Sequence, residues 1–160
     1  MTSFNEMKGL KELTAVVNNF TQQFDCVAEI SDTFWVDIAT NTVYFSLFYE
    51  KREEEEFMST VYRCNPKVEM NIFLWSLLHE IFHVETYDDL TEEELLYCVD
   101  VKENIQRGLV NPLEYYDLPI ERMATEAAVK WANTHINELA EFWTQFLDAT
   151  MRFYQLNGII

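Results

Sequence analysis

The sequence predicts a helix-rich α+β domain. Three observations lead there. Only three glycines and three prolines punctuate 160 residues, too few for a many-turned β architecture. Apolar residues recur at helical spacing at both ends of the chain. One short stretch, Thr33 to Tyr49, is instead dense in aromatic and β-branched residues, the composition of strands. At this length the chain is read as a single domain over 1–160 with a core of its own.

The elements follow in order. Leu10, Leu13, Val17, Phe20 and Phe24 share one helical face and predict an N-terminal helix over Ser3–Phe24. Thr33–Ala39 and Val43–Tyr49 read as strands, with Asn41-Thr42 as their turn, so a hairpin is expected. Lys51–Glu56 is a charge run suited to a solvated turn or helix end. Met58–Arg63 is a candidate third strand of a small antiparallel sheet. Asn65-Pro66 punctuates the chain before an apolar helix over Pro66–Tyr87, which Asp88-Asp89 ends. Thr91-Glu92-Glu93-Glu94 has the pattern of a capping box, opening a helix to Arg107 that Gly108 stops. Asn111–Leu118 is a loop. From Pro119, a residue suited to a first helical turn, the chain is helical to Leu156, with a break near Asn133-Thr134. The last helix carries a stripe of Ile136, Leu139, Trp143, Phe146, Leu147, Thr150 and Tyr154. This stripe suits the core, or a homodimer through the C-terminal helix.

Composition narrows the function. Nearly half the residues are apolar and 15% are aromatic, which excludes a disordered chain. The formal charge of −17 repels phosphates and argues against direct nucleic-acid binding. The same charge favours a basic protein or peptide partner. Cys26, Cys64 and Cys98 are odd in number and far apart, which fits a reducing compartment and no disulfide framework. Met1–Glu6 does not read as a signal peptide and no apolar run reaches spanning length, so a cytoplasmic protein without a membrane segment is expected.

The chemically specific feature is His79-Glu80-Ile81-Phe82-His83, an H-E-x-x-H pattern within an apolar helix. Spacing of i, i+4 places both imidazoles on one face, where they can grip one metal ion. Glu80 is then positioned as a base toward metal-activated water. Two histidines and a glutamate on a buried helix need partners, since an unpaired buried polar group costs several kcal/mol, about 2–7. A catalytic zinc takes three protein ligands, so a third is sought downstream. The metzincin extension is absent, because Thr86 and Asp89 stand where its glycine and third histidine would be. Two kinds of candidate remain, a glutamate on another helix or His135, the latter better suited to the surface or to capping. On the Pro119 helix, Glu121, Ala124, Thr125 and Ala128 share a face. The small Ala124 and Ala128 would let it approach the metal helix closely.

With Glu121-Arg122-Met123-Ala124 some forty residues after the histidine motif, the chain resembles small gluzincin-like metallopeptidases of the ImmA/IrrE type, in their catalytic domain. The resemblance spans about residues 34 to 132, on fewer than fifteen specific positions. It implies a zincin-like fold, one Zn2+ held by His79, His83 and Glu121, and Glu80 as general base. Ala127-Ala128 stands where the family often has an aromatic-alanine pair, and Trp131-Ala132 follows four residues later. That shift keeps Glu126 open as the alternative ligand. Tyr115 and Tyr116 lie in a loop that can border the site and support an oxyanion.

Two functions are therefore expected to compete, with a zinc hydrolase acting on a non-peptide amide as a third. One is a zinc metallopeptidase acting on a protein or peptide. The other is a non-enzymatic acidic inhibitor or interaction protein, a nucleic-acid mimic among them, with a structural or degenerate zinc site.

Overall fold

The computed structural model describes residues 7–48, 51–109 and 111–159. The helix-rich α+β class is borne out: six α-helices surround a three-stranded sheet among these residues. Helix α1 is Leu10–Thr21, followed by a 3₁₀ turn to Phe24. It starts later than the Ser3 expected from periodicity. Gly9 precedes it at φ +81°, a conformation glycine adopts freely, and residues 1–6 lie outside the described residues.

The sheet is mixed, not antiparallel. Strands β1 (Val27–Ile30), β2 (Trp35–Asp37) and β3 (Thr42–Phe45) lie in the order β1-β3-β2. The expected hairpin is β2–β3, with Val36 opposite Val43 and Asn41 in the turn at φ +51°. Trp35 and Tyr44 stack across it with ring centroids 3.9 Å apart. Strand β3 ends at Phe45, and Tyr49 lies outside the described residues. The third strand is β1, parallel to β3, and not Met58–Arg63. That segment closes helix α2 (Lys51–Arg63). Its β-branched residues are overridden because a helix already running from Lys51 puts Phe57, Thr60 and Val61 on one buried face.

Strand β1 escapes periodicity because it is only four residues long and its buried centre is Ala28, a weak strand former. Its partners are non-local. β3 occupies one edge, and Asn18 of α1 occupies the other. The Asn18 side chain accepts from Ala28 N at 2.7 Å and donates to Ala28 O at 3.0 Å, standing in for a neighbouring strand. Asn18→Ala would leave both buried backbone groups unpaired. We expect a loss of about 2–3 kcal/mol, read from urea unfolding, with Asn18→Asp restoring only the accepting half.

Helix α3 is Ile72–Thr86, shorter than Pro66–Tyr87. Asn71 caps it, accepting from Leu74 N at 3.1 Å, and a 3₁₀ turn over Tyr87–Asp89 follows it. The helix is apolar nearly all round, with Trp75, Leu77, Leu78 and Ile81 at 1% exposure or less, and so it forms the centre of the core. Helix α4 (Glu92–Gln106) opens with the expected capping box of Thr91 and Glu94. A 3₁₀ helix over Pro112–Asp117 occupies the expected loop.

Helices α5 (Pro119–Thr134) and α6 (Ile136–Leu156) are separated at His135, as the expected break requires. Ala124, Ala128 and Ala132 are all buried on α5, whose principal packing partner is α3. The α6 stripe is spent largely on the chain's own core. Phe142 stacks on Phe20 at 4.2 Å and Phe146 on Phe73 at 4.1 Å, while Ile136 and Leu147 remain exposed. None of the described helices is long and apolar enough to cross a membrane.

Candidate metal centre

The site is built where α5 presses on α3. Because small alanines line that contact, the two backbones approach closely enough for a glutamate on one helix to reach histidines on the other. His79, His83 and Glu121 are all buried, at 5%, 7% and 2% exposure. The Nε2 atoms of the two rings lie 3.0 Å apart. Glu121 Oε2 lies 2.8 Å from His79 Nε2 and 3.0 Å from His83 Nε2. Three donor atoms thus converge on one point, and together they form a group able to hold a metal ion.

The fit can be tested against coordination chemistry. Ligand atoms around a tetrahedral ion at about 2.0–2.1 Å stand roughly 3.3 Å from one another. The observed separations reach that with movements of a few tenths of an ångström. The donor chemistry agrees. His79 Nδ1 is 2.9 Å from Thr125 Oγ1, and in the tautomer where Nδ1–H donates to that hydroxyl, the Nε2 lone pair faces the carboxylate. Two acceptors this close require a proton or a cation between them.

The electrostatics show the same coupling. Burial alone would raise the Glu121 carboxyl, but hydrogen bonds from His79 and His83, reinforced by their charges, hold it well below the ordinary carboxylate range. Burial opposes charge on His83, yet the bond to Glu121 and the negative charges of Glu121 and Glu80 raise its pKa. Glu80 makes none of these contacts. It shares with His79 and Glu121 the wall of a cavity of about 620 Å³. Desolvation raises its pKa, against the lowering effect of the two histidines.

Glu126, the alternative ligand, stays outside: it is 59% exposed in its side chain and pairs with Arg122 at 3.9 Å. His135 caps the helix junction, its Nδ1 2.8 Å from Trp131 O and its ring stacked on Trp131 at 4.2 Å. Tyr115 and Tyr116 both line the cavity, and the Tyr115 hydroxyl donates to Glu121. Burial and the neighbouring carboxylates push the Tyr115 pKa far up, so it remains a donor.

Three contributors were not assigned a role from sequence. Thr125 was placed on the right face, one turn after Glu121, but its bond to His79 needed the packing of α5 on α3. Phe57, whose ring meets His79 edge-on at 5.2 Å, fell between the charge run Lys51–Glu56 and the misassigned strand Met58–Arg63. Lys102, 3.7 Å from Glu121 Oε1, has no local signal, because only the placement of α4 brings it there. Partners that fix a ligating ring raise metal affinity about 10–100-fold. Thr125→Val should therefore weaken metal binding by about that factor, measured by chelator competition, and Thr125→Ser should retain it.

Comparisons with known protein families, with curated proteins and with solved structures give no match.

Proposed function

We propose that the chain is a zinc-dependent metallopeptidase, similar in its site to small gluzincin-like enzymes of the ImmA/IrrE type. The observation that carries this reading is the convergence of two imidazoles and one carboxylate oxygen within 3.0 Å, beside a cavity that Glu80 also faces. A His2Glu donor set is the catalytic zinc type, which leaves a coordination position open. When bound, zinc would polarise a substrate carbonyl and make water acidic enough to lose a proton near neutral pH.

The chain's own residues supply the rest. Glu80 takes the proton from water and passes it to the leaving amine. Its raised pKa suits both halves of that exchange, since a carboxyl nearer neutrality both accepts and returns a proton readily. Tyr116, on the cavity wall, donates toward the developing oxyanion, because the single Tyr115 O–H is already given to Glu121.

An extended substrate would add as a strand to a free sheet edge. β3 is the central strand, so it has no free edge to offer. The remaining candidate is the outer edge of β2, whose lead-in residues Thr33 and Phe34 line the cavity. The lining also carries Asp32, Glu54 and Glu56, with no lysine or arginine among the described residues, which favours a basic peptide.

Protein purified without added metal should carry one zinc per chain by elemental analysis. EDTA should lower its melting temperature, and His79→Ala should remove both the metal and the EDTA effect. Metal-free protein whose stability in EDTA matches that of His79→Ala would overturn the proposal.

A further inference from the structure

The two oxygens of Glu121 face different surroundings. Oε2 faces His79 Nε2 and His83 Nε2. Oε1 is the oxygen paired with Lys102 Nζ, at 3.7 Å. The Lys102 ammonium also lies over the Tyr115 ring, 5.2 Å from its centroid, and the Tyr115 hydroxyl donates to Glu121. Helix α4 and the 3₁₀ helix before α5 thus each bring a side chain to the same carboxylate that meets the histidines.

Building on the metal-centre reading, we propose that Lys102, with Tyr115, is a positioning clamp that restricts Glu121 to one-oxygen ligation and keeps a coordination position open. The alternatives are physically distinct. A free carboxylate can turn and offer both oxygens, which fills the position that water needs. A carboxylate with Oε1 tied to an ammonium offers Oε2 alone. Among the described residues the ion pair of Lys102 is with Glu121 and not with the histidines, so its positioning action passes through Glu121, while its charge alone reaches His83 and Glu80.

Charge alone predicts the reverse effect. A cation near a metal site repels the ion, so removing it would tighten binding. The Lys102 side chain is 37% exposed, however, and solvent screens its longer-range repulsion more than its contact with a buried oxygen. Orientation should therefore dominate.

The test compares Lys102→Met, Lys102→Arg and Lys130→Met, the last losing the same charge at an exposed position on α5. Zn2+ affinity is measured by chelator competition, and Co2+ is added as a spectroscopic probe. Lys102→Met should bind Zn2+ about 10-fold more weakly, in the range of outer-shell partners. It should also lose most of the intense visible absorption that marks four-coordinate Co2+. Lys102→Arg should restore both readouts, and Lys130→Met should leave them unchanged.

Affinity within twofold of the parent with an unaltered Co2+ spectrum would overturn the clamp. Tighter binding would overturn it too, by showing that Lys102 acts only as a repelling charge. Failure of the parent protein to take up either metal would instead sink the metal-centre reading, and the clamp with it. Tyr115→Phe gives an independent arm: it keeps the ring under Lys102, removes the hydroxyl bond, and should shift the Co2+ spectrum in the same direction.

Discussion

Replacing Glu121 by alanine is expected to abolish stoichiometric metal, while Glu126→Ala leaves it intact. Apparent binding free energies of four-ligand structural zinc sites are about 10–16 kcal/mol, so one ligand accounts for roughly 2.5–4 kcal/mol, or about 10²–10³-fold in affinity. Glu121 should lie at the upper end. It is the anion of the set and meets both imidazoles through one oxygen. Elemental analysis and chelator competition on both variants check this. Retained zinc in Glu121→Ala, or lost zinc in Glu126→Ala, would reverse the assignment.

The same site sets a pH dependence. In the metal-free protein His83 has a raised pKa, so it contributes stability that is complete below the ordinary imidazole range and is lost as pH rises through its raised value. Glu121 has a lowered pKa, so its contribution is present above the ordinary carboxylate range and is lost as pH falls through its lowered value. The metal-free fold is therefore favoured in the mildly acidic window between them. Metal must displace the His83 proton in that window, so loading weakens there. The difference in melting temperature between loaded and EDTA-treated protein should widen from mildly acidic to mildly alkaline pH. A gap that narrows over that range would contradict the site.

The parts of this structure that sequence made legible are those fixed by short-range rules. The Thr91–Glu94 capping box, the Asn41 turn and the Pro119 helix start each depend on a few adjacent residues, and each lies where expected. The triad was legible for a related reason. His79 and His83 are one turn apart on a helix, and the alanines one and two turns after Glu121 announced a close helix contact.

What escaped depends on distant partners. β1 exists because β3 and Asn18 supply hydrogen bonds from up to 15 residues away, as the pairing of Val27 with Thr42 shows. In Met58–Arg63, strand-forming composition lost to a helix begun upstream. Lys102 reaches Glu121 only after α4 has docked, which no spacing in the sequence encodes. The histidine pair thus follows from local spacing, and the glutamate and lysine that meet it follow from tertiary packing.

Glu80→Gln is expected to separate catalysis from everything else the site does. Glutamine keeps the size of the side chain and its place on the cavity wall, but it cannot take a proton. General-base catalysis is worth about 10²–10⁴-fold, so hydrolysis of a lysine- and arginine-rich peptide library, followed by mass spectrometry, should fall by that factor. Metal content should not change, because Glu80 is outside the converging triad. Stability should hold or rise slightly. The raised pKa means that the folded protein penalises the charged carboxylate, and an uncharged amide removes that penalty at neutral pH. A variant with full zinc, equal or higher melting temperature and no hydrolysis would tie the chemistry to Glu80. A variant that loses zinc would move Glu80 into the ligand set. If a biological effect of the parent survives intact in Glu80→Gln, the acidic protein acts by binding, and its zinc site is structural.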